Sequence, residues 1–118
     1  MKLTIPDVPP SLNKVLRMHW AKKRQLKRSW HLQVWAETGL GPVPSAPVPR
    51  KRKVGITLHH SRFYDKDNAY GACKVLVDVL RAEGLIYDDT AEWLDLTVEQ
   101  AKCPHKQRHT VIEIEVAA

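Results

Sequence analysis

Two short acidic segments hold the side chains of this sequence that are best suited to chemistry. Asp65 and Asp67 lie two apart at the end of a predicted strand, where side chains at i and i+2 point the same way. Asp88 and Asp89 stand in a turn that leads into the next predicted strand. Neighbouring strands that meet at one edge would bring the two turns together, and clustered carboxylates repel unless a cation neutralises them. Hard oxygen ligands suit magnesium or manganese, and such an ion can activate water for hydrolysis of a phosphodiester bond.

Lys74 adds a cation one to two helical turns after Asp67. From there its ammonium group could bind a scissile phosphate or stabilise charge that develops in the transition state. Two alternatives stay open. Lys74 could instead pair with Asp78 one turn on, and the aspartates could be ordinary residues of turns and helix starts.

Hydrophobic patterning predicts the elements that must position these residues. Residues 54–59 alternate between apolar and more polar types, which indicates a strand with one buried face. Residues 69–84 predict a helix with Asn68 as its N-cap and Gly84 as its C-terminal stop. The other predicted elements are a helix over about 19–38 and strands at 2–5, 94–98 and 112–116, the last with Val116 pointing inward.

The order of these elements is strand, helix, strand, helix, strand, strand. This order predicts one domain over 1–118 of the α/β or α+β class, with a mixed sheet and about two helices. Leu26, Trp30 and Val34 fall four apart and predict the buried stripe of the first helix. Prolines over 41–53 predict a connector that is too broken for a helix or a central strand.

An excess of basic residues favours a polyanionic partner such as nucleic acid. The 118 residues include 19 Lys and Arg against 13 Asp and Glu, a formal charge of +6. Many of the cations crowd the first predicted helix, where they could contact DNA phosphates or form a solvated face. Asn13 could contact DNA or cap the following helix. The candidate DNA-binding residues are Asn13, Lys22, Lys23, Arg24, Lys27 and Arg28.

Apolar runs argue against a membrane partner. None is long enough to cross a bilayer, and the N-terminal residues hold no signal-peptide core. We therefore expect a cytoplasmic protein in which Cys73 and Cys103 are reduced thiols.

The histidines and tryptophans have less specific patterns. No ligand spacing supports a zinc site, and we expect His59 and His60 to be surface residues with a possible role in phosphate contacts. Trp30 belongs to the buried stripe. Trp20, beside the basic cluster, is the better candidate for stacking on unpaired bases.

Residues 64–93, YDKDNAYGACKVLVDVLRAEGLIYDDTAEW, resemble the core of RusA-type Holliday junction resolvases, which are crossover junction endodeoxyribonucleases common in phages and prophages. The matching motifs are Asp65-x-Asp67-Asn68, Lys74-x-x-x-Asp78-x-Leu80, and Gly84 followed by Asp88-Asp89. The segment Pro9-Pro10-Ser11-Leu12-Asn13 is similar to the family's proline-rich opening. The spacing departs from the best-known member, because residues 69–73 add roughly a helical turn before the lysine.

The resemblance implies a homodimer with a mixed α/β fold and a magnesium site in each subunit, which makes paired nicks across a four-way DNA junction. Manganese is a possible substitute for magnesium. By resemblance, the catalytic aspartates are Asp65, Asp67 and Asp89, the catalytic lysine is Lys74, and Asp88 is an auxiliary ligand. A two-fold dimer suits a substrate that is itself nearly two-fold symmetric.

Three other functions stay open. One is a non-catalytic, structure-selective DNA-binding protein. Another is a nuclease that acts on forks or flaps with the same site chemistry. The third is a basic interaction module whose acidic turns bind nothing.

The basic cluster makes the salt dependence of DNA binding testable. Replacing Lys23 and Lys27 with Ala should flatten the log–log plot of junction affinity against salt, because each lost phosphate contact lowers its slope by roughly one. Gel-shift titrations of a labelled four-way junction at several salt concentrations measure that slope. An unchanged slope would mean that the basic run is a solvated face and that DNA binds elsewhere.

Overall fold

A mixed four-stranded sheet organises the protein, seen here in a computed structural model that describes residues 2–37 and 49–116. The strand order is β1-β4-β2-β3, in which β2 and β3 run parallel and the other neighbours run antiparallel. A 3₁₀ turn at His105–Gln107 precedes the last strand. The other elements are β1 (Lys2–Ile5), α1 (Leu12–Leu16), α2 (Trp20–Glu37), β2 (Arg52–His60), α3 (Lys66–Ala82), β3 (Leu94–Lys102) and β4 (His109–Val116).

The predicted α+β class and mixed sheet are confirmed, but the described residues form three α-helices rather than about two. The additional helix, α1, begins after the prolines because the Ser11 hydroxyl accepts a hydrogen bond from the Lys14 amide at 3.3 Å. Strand β2 starts inside the predicted connector, since Arg52 already pairs with Leu94. Residues 41–48 of that connector lie outside the described part of the chain.

One apolar core lies between the helices and the sheet. The inward residues of β2 and the Leu76 and Leu80 side chains of α3 are buried in it, together with Trp30 and Val34 of α2. This confirms the predicted stripe of α2 and the predicted buried face of β2. Val116 alternates in step with the buried Ile112 and Ile114, but it pairs at the last rung of the β2–β4 ladder and is 55% exposed, so it does not join the core.

The termini of α3 differ in how well the sequence predicts them. Gly84 ends the helix as predicted, with φ of 75° and the paired hydrogen bonds Gly84 N to Arg81 O and Leu85 N to Leu80 O. The N-cap is Asp65 and not Asn68, because the Asp65 carboxylate accepts from the Asn68 amide at 3.0 Å. No helix in the described part of the chain is long and apolar enough to cross a membrane.

Helix α1 packs directly on α3 at a glycine. A β-carbon at Gly71 would lie 2.6 Å from both Cβ and Cδ2 of Leu12. The two helices therefore pack too closely here for an alanine side chain. The Asn13 amide also donates to the Asn68 side-chain oxygen at 3.1 Å. The proline-rich opening of the chain is therefore fixed against the start of α3.

Replacing Gly71 with Ala should destabilise the protein, although alanine is favoured by about 1 kcal/mol in an open helix. Overpacking against Leu12 costs roughly 1–3 kcal/mol, so the net loss should be about 1 kcal/mol in urea unfolding. Gly55→Ala is the matched control, because nothing lies within 4 Å of a β-carbon there. Stabilisation of both variants would show that α1 does not pack on Gly71.

Candidate active site

The two acidic turns were expected to meet at one edge of the sheet, and the parallel pairing of β2 with β3 shows that this expectation is wrong. Asp65 follows the end of β2, whereas Asp89 precedes the start of β3. In a parallel pair these positions lie at opposite ends of the strands, because Arg52 pairs with Leu94 at one end and His60 with Lys102 at the other. The edge of the sheet therefore does not bring the two turns together.

The loop over residues 83–93 brings Asp89 back towards the middle of α3 instead. Asp89 and Lys74 line the same cleft, which has a volume of about 470 Å³. Both side chains are exposed at this cleft. Tyr70 and Gly71 of α3 contribute to it, and its apolar residues are Val77, Ala91, Leu94 and Leu96. A carboxylate and an ammonium group thus share one opening.

Asp67 lies on the α3 face that carries the cleft. It is four residues before Gly71 and seven before Lys74, the spacing of side chains on one face of a helix. At 1.5 Å per residue, Asp67 lies about 6 Å along the helix axis from Gly71. This face of α3 presents an aspartate, a glycine and a lysine in succession, and Asp89 joins them from the loop.

Asp65 has a structural role that the sequence left open. Its carboxylate caps α3, and the capped residue Asn68 in turn accepts a hydrogen bond from the backbone of α1. Asp67 in the first turn adds a negative charge where the helix dipole favours one. The two aspartates therefore also support the start of α3.

Asp88 anchors the loop that carries Asp89. Its Oδ1 accepts a hydrogen bond from the Asp89 amide at 2.8 Å and lies 3.5 Å from Nε of Arg81, near the end of α3. Tyr87 and Trp93 pack edge to face with ring centroids 4.7 Å apart and close the same loop. Asp88 thus has structural partners of its own, and sequence reasoning missed the aromatic pair because its members lie six residues apart in an irregular segment.

The donor atoms of this region suit a hard cation. Magnesium commonly takes one or two carboxylates and completes its coordination with water and substrate phosphate, a set that Asp67 and Asp89 can supply. The described residues hold no group of three His, Cys, Asp or Glu side chains that could bind a metal ion. Cys73, next to Lys74, is buried, and burial raises the pKa of its thiol to about 12.

A polar network fixes the segment just before Asp65. The Gln100 side chain accepts from the Tyr64 amide at 2.8 Å and donates to the Tyr64 carbonyl at 2.9 Å. His60 contacts the same Gln100 oxygen at 2.8 Å and is buried, so its predicted surface position is wrong. Burial raises the pKa of Tyr64, whose hydroxyl donates to the Pro9 carbonyl. The partners are far apart in sequence, so spacing gave no signal for this network.

All five basic candidates on α2 are exposed, as phosphate contacts require. Trp20 is 63% exposed, and the Arg24 guanidinium lies 4.9 Å from the centre of its ring. Asn13 is exposed within α1 and does not cap it, since Ser11 is the cap. Within the described part of the chain, Lys74 forms no ion pair with Asp78. The exposed α2 cations are Lys22, Lys23, Arg24, Lys27 and Arg28.

No protein-family model matches the sequence, and no curated protein matches it. The relation to RusA-type resolvases therefore rests on the motifs quoted above and stays a prediction.

Substitutions of Asp65 should show how much its N-cap hydrogen bond contributes to the stability of the fold. Asp65→Ala should lower the free energy of unfolding by about 1 kcal/mol, whereas Asp65→Ser should stay within about 0.5 kcal/mol of the parent because serine is an equally good N-cap. Urea unfolding measures both variants. Equal stability of the alanine variant and the parent would contradict the cap.

Proposed function

We propose that this protein is a magnesium-dependent endonuclease that cuts four-way DNA junctions by paired nicks. The proposal is supported by the cleft that Asp89 and Lys74 line together. Asp67 lies on the same face of α3, one helical turn before the cleft. Carboxylates beside a lysine are the side chains that hydrolysis of a phosphodiester requires. The motifs shared with RusA-type resolvases supply the substrate class.

Each residue at the cleft has a distinct task in this proposal. The Lys74 ammonium group binds a non-bridging oxygen of the scissile phosphate and stabilises charge on it. Asp67 and Asp89 would hold the magnesium ion. Asp65, which the resemblance implies as a third ligand, caps α3, and the described residues hold no group of three such side chains. A bound ion would supply an activated water and stabilise the departing oxygen.

Charge explains why binding and cleavage respond differently to the metal. The exposed cations of α2 attract the phosphates of the junction arms and position them without reading their sequence. Asp89 at the cleft and Asp67 one turn before it repel the same phosphates unless a cation neutralises them. We therefore propose that the protein binds junctions without magnesium and cuts them only with it.

A homodimer would place two such clefts on one junction. Two nicks related by a two-fold axis require two sites related in the same way. Leu16 and Trp20 are 65% and 63% exposed at neighbouring ends of α1 and α2, and they offer apolar surface for such an interface.

A second function is favoured by one observation. The described residues hold no group of three metal-ligating side chains, which would fit a protein that binds junctions without cutting them. A nuclease that acts on forks or flaps would use the same residues as a resolvase. A cleavage assay on junctions, forks and linear duplex separates these functions.

Asp67→Asn should abolish cleavage and spare binding. The change keeps the shape of the side chain but removes a charge from the metal ligands, so nicking of a labelled junction in magnesium should fall on the order of 100-fold or more. Junction affinity in EDTA should be equal or tighter, since a repulsive charge is lost. The fold should survive, because Asp67 is exposed.

Asp95→Asn is the matched control for this experiment. Asp95 is also exposed, but it lies on β3 opposite Lys53 and not at the cleft. It should cut junctions like the parent protein. Full cleavage by Asp67→Asn would remove this residue from the site, and loss of folding would make its role structural.

A further inference from the structure

A second and larger depression lies at the end of β2, close to the start of α3. This groove has a volume of about 820 Å³ and is bordered by α1, the turn after β2 and the segment before β4. Its basic side chains include Lys14, Arg62 and Arg108, and none of the described residues that line it is acidic. The groove is therefore a local concentration of positive charge.

Two of these cations are available to a ligand. Within the described residues, the Lys14 and Arg62 side chains have no hydrogen-bond or ion-pair partner. Arg108 is partly neutralised, because its Nε lies 3.6 Å from Asp7 and its guanidinium donates to the His105 carbonyl at 3.2 Å. Unpaired cations that face a groove favour an anionic ligand.

The remaining lining is largely apolar and aromatic. Met18, Leu26 and Tyr64 contribute to it beside the cations. Apolar surface next to unpaired charge fits a molecule with a planar ring and a phosphate. The volume falls within the range of small-ligand pockets, roughly 300–1,000 Å³, so it suits a nucleotide and not a double helix.

The groove adjoins the candidate active site through the chain itself. Tyr64 lines the groove and is held by Gln100, and the next residue is Asp65, the cap of α3. Lys14 belongs to α1, whose Asn13 amide donates a hydrogen bond to the Asn68 side chain at the start of α3. A strand in the groove would therefore lie next to the acidic start of α3.

We propose that this groove binds an unpaired nucleotide of the substrate strand. Its phosphate contacts Lys14 and Arg62, and its base packs against Met18, Leu26 and Tyr64. The inference rests on the proposed nuclease function and explains how the protein would select branched DNA over uninterrupted duplex. A branch point can release a base from its stack at low cost, whereas uninterrupted duplex keeps its bases paired.

Binding of a fluorescent single-stranded tetranucleotide, (dT)4, in EDTA tests the proposal without any cleavage. The parent protein should bind it more tightly than a tetramer of abasic nucleotides. The double variant Lys14→Gln/Arg62→Gln should weaken binding by at least tenfold. It should also reduce the log–log salt slope by about 0.7, because both cations contact one phosphate and each phosphate contact of a single strand contributes roughly 0.7.

The matched control is Lys51→Gln/Lys53→Gln, which removes the same charge at the opposite end of β2. It should bind (dT)4 within about twofold of the parent protein if the groove, and not net charge, holds the strand. Equal weakening in both double variants would overturn the proposal, as would absence of (dT)4 binding by the parent. Groove-dependent binding without nicking of junctions would support the groove and contradict the proposed nuclease, so the two failures are distinguishable.

Discussion

Because β2 and β3 run parallel, the chain must travel back along the sheet between them, and α3 makes that return. The 17 residues of α3 span about 25 Å, so its two ends lie far apart. Asp65 and Asp67 are fixed at one end, and the loop that carries Asp89 starts from the other. The candidate site exists only because that loop folds back along α3, where Asp88, Tyr87 and Trp93 hold it.

The acidic residues have both structural and proposed chemical roles. Asp65 caps α3, and Asp88 lies beside Arg81, so each stabilises the scaffold on which Asp67 and Asp89 are presented. On a protein of charge +6, the cations of α2 and of the groove would draw in DNA, while Asp89 at the cleft and Asp67 beside it present negative charge. This division separates the surface proposed to bind phosphates from the place where one phosphate would be hydrolysed.

Local patterns in the sequence predicted the elements but not their mutual arrangement. Alternation identified the buried face of β2, and helical spacing identified the stripe of α2 that buries Trp30 and Val34. The parallel direction of β3, the packing of Leu12 on Gly71 and the clamp of Gln100 on Tyr64 depend on contacts between distant residues, so no local signal carried them. For the same reason, the turns were expected at one sheet edge, and the groove residues Arg62 and Arg108 were missed.

Crystals soaked in manganese would show whether the cleft binds a metal ion, since anomalous scattering locates the ion without reference to activity. We expect an anomalous peak between Asp67 and Asp89 at the cleft that Lys74 lines, and loss of that peak in Asp89→Asn crystals. Asp95→Asn crystals should keep it. Absence of manganese from the cleft, or a peak that persists in Asp89→Asn, would show that Asp67 and Asp89 do not form a metal site.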